Sequence, residues 1–137
     1  MIEKIEWRGE TLALILRDGF NKDGVNFVTA ENNPLQVGVL MHPQGFKIKP
    51  HIHRTSRKII NSIQEVLHVA YGRVGVNFYD DKGEQIGSAV INMGDTILLI
   101  AGGHGFDILE DSKIIEVKQG PYEGTEQDKK RLEIGGG

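Results

Sequence analysis

Short runs of apolar, β-branched and aromatic residues alternate along the chain with polar, glycine- and aspartate-rich turn signals, and this pattern predicts strands. Thr11 to Leu16 runs up to Asp18-Gly19, Val25 to Val28 follows Asp23-Gly24, and Val37 to Met41 stops at Pro43-Gln44-Gly45. The pattern continues through Phe46 to His53, Glu65 to Tyr71, Arg73 to Tyr79 and Ile86 to Ile91, then Thr96 to Ile100, His104 to Leu109 and Lys113 to Gln119. About ten strands are expected, with Asp81-Lys82-Gly83 closing one hairpin and Met93-Gly94-Asp95 separating two further strands. Only Glu126 to Leu132, after the breaker Gly120-Pro121, favours a short surface helix or a frayed end, and Gly135 to Gly137 reads as disordered. Such a strand list closes as an antiparallel sandwich or a barrel of the jelly-roll kind.

Composition narrows the class. The 137 residues suit one domain, 1–137, and 39% apolar residues suffice for a buried core. Eighteen glycines, about twice the usual share, lie between the apolar runs and imply many tight turns. Sixteen Lys and Arg against nineteen Asp and Glu give a net charge of -3, without the basic excess that phosphate backbones demand, so no nucleic-acid partner is expected. The absence of cysteine excludes disulfides, thiolate catalysis and cysteine-ligated metal, leaving nitrogen and oxygen donors for any ion. Apolar runs such as Ile97 to Ala101 are too short to span a membrane, and Met1-Ile2-Glu3-Lys4 opens no signal peptide, so a cytoplasmic protein without a membrane partner is expected.

Among the five histidines, His51 and His53 stand in Pro50-His51-Ile52-His53. On a strand both imidazoles face one way, about 7 Å apart at Cβ, and one ion can sit between them. Gly45 precedes this pair, Glu65 and Gly72 follow it, and a second block runs from Gly94-Asp95 through Gly102-Gly103-His104-Gly105-Phe106. In these residues the chain resembles the cupin superfamily, with a first motif over about 45–72 and a second over about 94–106, followed by a tail, 120–137. The resemblance implies a single-domain, all-β cupin, a double-stranded β-helix whose His51, His53, Glu65 and His104 bind one divalent metal inside the barrel. Two departures stand out: eleven residues separate His53 from Glu65 where the family pattern has three or four, and the second motif lacks its proline and about one residue before His104.

Three imidazoles and a carboxylate suit iron, manganese, nickel, cobalt, copper or zinc without choosing among them. Such a site polarises a carbonyl or hydroxyl, or activates O₂ if the ion is iron. The inserted Arg54-Thr55-Ser56-Arg57-Lys58 suggests that Arg54 or Arg57 clamps an anionic group of a small-molecule ligand, against the alternative of a solvated loop. His68 falls on the strand face opposite Glu65, and His42 in a turn; neither is expected to bind the ion. Asp107, Glu110 and Asp111 read as a solvated turn, Tyr71 and Tyr79 as barrel-end packing, and Trp7 as a core or dimer-interface residue. Similarity to compact bacterial cupins linked with sugar-nucleotide or surface-polysaccharide gene clusters implies a substrate class, a sugar, sugar nucleotide or other polar metabolite, and not a reaction; the leading expectation for a metal-dependent cupin is an isomerase, epimerase or oxygenase. The alternative is a non-catalytic binding or sensory cupin. A homodimer is expected, with Ile2 to Arg8 available as an exchanged strand.

Overall fold

A computed structural model describes residues 1–124 together with Lys130 and Leu132. Its strands are β1 (Ile2–Trp7), β2 (Glu10–Leu16), β3 (Gly24–Phe27), β4 (Gly38–Met41), β5 (Glu65–Tyr79), β6 (Gln85–Asn92), β7 (Thr96–Leu99) and β8 (Gly103–Lys118). The described residues contain no helix; most of the segment expected to be helical, Glu126 to Leu132, and the terminal glycines lie outside them. No helix among them is long and apolar enough to cross a membrane. The chain divides into two compact units: Met1–Phe20 with the chain from Ile63 onward, and Asn21–Ser62.

The larger unit is a curled antiparallel sheet that forms a half-barrel. Strands run β1-β2-β7-β5 on one side, and the far half of β5 pairs with β6, while β8 follows β5 along its whole length. Two pairs of expected strands are thereby fused. Glu65 to Tyr71 and Arg73 to Tyr79 form one strand, and β8 passes through Asp107 to Asp111, which was expected to turn.

The joint explains both fusions. Register shifts between Val69 and Val74 exchange the inward parity of β5 from Leu67 and Val69 to Val74, Val76 and Phe78, all five buried. Gly72 lies at the shift with φ +101°, and a Cβ there would overlap Ser112 Oγ and the Asp111 carbonyl. Ser112 Oγ accepts the Arg73 N–H at 3.1 Å and donates to the Glu110 carbonyl at 2.7 Å, so the bulge leaves these groups bonded. Gly72→Ala is therefore expected to cost about 2 kcal/mol through backbone strain and overlap. Urea unfolding measures this, and an unchanged midpoint contradicts the account of the joint.

Because directly paired residues share a side of a sheet, Ala13, Leu99 and Glu65 form one inward row and Ile15, Ile97 and Leu67 the next. These rows face Val74, Val76, Phe78 and Ile91 in a single core, with Phe106 and Ile114 packed against it. Trp7 is not part of that core: it is 37% exposed, with the Arg8 guanidinium 5.2 Å from the ring centre. Tyr71 is half exposed. The strand expected to be available for exchange, β1, pairs with β2 of its own chain.

The smaller unit contains the β3–β4 hairpin and a long exposed segment. Phe46 to His53, expected as a strand, has no strand pairing, although its alternation is intact. Alternation fixes which side chains share a face but provides no neighbouring strand, and an unpaired strand is not stable by itself.

Candidate functional site

Glu65 opens β5 and His104 lies near the start of β8, far apart in sequence and at opposite ends of the paired ribbon. His104 pairs with Phe78, so its side chain takes the core side of the far half of the sheet, while Glu65 takes the core side of the near half. The bend at Gly72 folds these halves toward each other. His104 Nε2 donates to Glu65 Oε1 at 2.7 Å, with the two side chains 30% and 14% exposed. A carboxylate only accepts, so the bond fixes the proton on Nε2 and leaves Nδ1 open.

This contact holds the Glu65 carboxyl at about 2, well below the ordinary 4.5. The hydrogen bond from His104 is the principal cause; burial opposes it, and Glu116 and Lys118 reinforce it. Both flanking residues belong to β8, where Lys118 pairs with Glu65 and Glu116 with Leu67, on the same side. They are the site neighbours the sequence reading overlooked. Their signal was present in Ile114-Ile115-Glu116-Val117-Lys118, where two charged residues occupy the parity of an inward-facing isoleucine. A partly buried carboxylate–imidazole pair with a lysine alongside can hold or pass a proton at Nε2, or bind an ion.

His51 and His53 form the second pair, on the exposed segment of the smaller unit, with ring centres 5.3 Å apart and planes at 77°. His51 Nδ1 donates to the Lys49 carbonyl at 2.9 Å. That bond leaves Nε2 with its lone pair outward, the arrangement metal-bound histidines adopt. Each pair fits a borderline divalent ion in donor type, yet among the described residues no group of three or more His, Asp or Glu side chains is gathered closely enough to hold one. Within the larger unit the structure brings Glu65 to His104, and within the smaller one His51 to His53.

The remaining candidates are readily placed. Arg54 and Arg57 are exposed on the same segment as the histidine pair. His68 turns away from Glu65, as parity requires, and bonds Thr96 Oγ1 at 2.9 Å. His42 stacks on Phe46 at 4.1 Å with Nε2 buried. A surface hollow of about 500 Å³, lined in part by Trp7, Arg8, Glu10, Asp80 and Glu84, contains none of the four candidate ligands. Asp80 Oδ1 is occupied there in capping its own turn, accepting from the amides of Lys82 and Glu84.

Comparison with protein-family models, with curated proteins and with solved structures returns no match to this chain.

Proposed function

We propose that the chain is a metal-binding barrel protein of the cupin, jelly-roll kind, in which His51, His53, Glu65 and His104 coordinate one divalent transition ion. The observation that supports this reading is the Glu65–His104 contact on the inner side of the half-barrel, made by the two residues that the first and second motifs contribute separately. The donor set is three nitrogens and one oxygen, with His51 already oriented by Lys49. A bound ion supplies Lewis-acid polarisation of a ligand carbonyl or hydroxyl. The chain's own part is to orient that ligand and to manage its protons. Arg54 and Arg57 offer guanidinium forks to an anionic group, and the His104–Glu65 pair holds a proton at Nε2.

The substrate class that follows is a small, polar, anionic metabolite such as a sugar acid or sugar nucleotide, converted by isomerisation, epimerisation or oxidation. The test is a panel of keto-sugars, nucleotide sugars and dicarboxylates offered to metal-loaded protein, with products followed by NMR. The expected result is conversion of at least one compound, with Arg57→Ala weakening its binding about tenfold, the worth of one charged hydrogen bond, while metal uptake is unchanged. Binding throughout without turnover contradicts the enzymatic reading and supports a binding module.

A further inference from the structure

We infer that the unpaired segment Phe46 to His53 of one copy adds as a strand to the free edge of β8 in a second copy, setting His51 and His53 beside the partner's Glu65–His104 pair. The acceptor is the first half of β8. Over His104 to Glu110 it bonds to β5 on one side, and among the described residues nothing pairs with its other edge. Ile108 and Leu109 there are 59% and 46% exposed, and a long open edge bearing apolar side chains is a ready template for another strand.

The donor has the complementary form. Phe46, Ile48 and Ile52 alternate with Lys47, Lys49, His51 and His53, and Ile52 is 92% exposed. Pro50, which a central strand would reject, suits an outermost strand whose far side faces water. Charge favours the match. From Glu31 to Glu65 no Asp or Glu intervenes while five Lys and Arg do, so the rest of the chain carries eleven cations against nineteen acids. Pairing with His53 opposite His104 puts His51 beside Phe106, and lays Lys47 and Lys49 along the stretch containing Asp107, Glu110 and Asp111. A second copy is the fitting occupant because one chain presents both a donor and an acceptor unpaired. Two chains related by a two-fold axis satisfy both edges and close. The pairing stands independently of the metal proposal; only its consequence, a donor set completed between copies, rests on it.

The chain's lack of cysteine makes the test clean. Ile52→Cys chains are mixed with Gly105→Cys chains, and separately Ile48→Cys with Leu109→Cys, then treated with a short bismaleimide and sequenced by mass spectrometry. Covalent dimers joined 52 to 105, or 48 to 109, are expected, with light scattering giving twice the 15.2 kDa of one chain. No link in either mixture, while a single Ile52→Cys/Gly105→Cys chain made for comparison closes a link within itself or forms none, overturns the inference. In a parallel mixture of His51→Ala/His53→Ala chains with His104→Ala chains, bound metal should rise from near zero to roughly one ion per four chains, because half of randomly formed dimers are mixed and each mixed dimer holds one intact site. Cross-linking without that recovery upholds the pairing and refutes the ligand assignment.

Discussion

Asp95→Ala is expected to lower the unfolding free energy by about 3 kcal/mol, equivalent to roughly 10 °C in Tm for a chain of this size. Asp95 is only 4% exposed, yet both of its carboxylate oxygens accept hydrogen bonds. Oδ1 accepts the Asp18 amide at 2.9 Å, and Oδ2 accepts the Asn92 amide and Arg17 Nη1, both at 2.8 Å. Arg17 also grips Glu3 through two bonds of 3.0 and 3.1 Å and the Val90 carbonyl at 2.7 Å, so one guanidinium ties β1, β2 and β6 to the turn before β7. The alanine variant strands two amides and part of this guanidinium, which is why the cost exceeds that of an ordinary hydrogen bond.

The pH dependence follows from the same contacts. Burial by itself would raise the Asp95 carboxyl, but the Asn92 and Asp18 amides and Arg17 outweigh it and hold the group below its ordinary 3.8. The group's stabilisation is therefore fully present above 3.8 and is lost as the pH falls from there through its lower folded value. The gap between native protein and Asp95→Ala should be constant from pH 5 to 8 and should narrow below pH 3.8. Urea titrations across this range check it; a gap that widens in acid, or a change below about 0.5 kcal/mol at pH 7, contradicts the assigned network.

The network also marks what the sequence could not reveal. Short apolar and β-branched runs bounded by turn residues located β2, β3, β4, β6 and β7 to within a residue or two. Gly94-Asp95 stood out as the start of a motif, but its work is structural: Gly94, at φ +89°, lets Asp18 approach, and Asp95 collects donors from residues remote in sequence. Nothing local announces such a partner. The fusion at Gly72 was hidden for a similar reason, because a bulge reverses parity only when the opposing strand supplies a Ser112 to fill it. His51, His53, Glu65 and His104 were legible by type and spacing. Of the contacts among them, parity correctly put Glu65 with Leu67 and Val69, and His104 with Phe106, while the loop of eleven residues between His53 and Glu65 carried no pattern from which its path could be read.

Metal should stabilise this protein measurably. If the four donors bind one ion, a free concentration one hundred times the dissociation constant raises the unfolding free energy by about 2.7 kcal/mol, and the rise disappears in variants that lack a donor. Thermal unfolding with and without cobalt, nickel, manganese and zinc reads this directly, and the ion giving the largest rise is the best match to the donor set. Glu65→Gln is the informative variant, because it keeps the shape and the hydrogen bond to His104 while removing the anionic donor. Its response should be well below that of the native chain. An equal response in the two proteins would place the ion elsewhere.

Elemental analysis of protein purified without added metal is the most direct measure of the central proposal. Near one transition ion per chain in the native protein, with little in His51→Ala and His104→Ala, is the predicted result. A native chain devoid of metal that also fails to take up any offered ion, or variants that retain it undiminished, would contradict it.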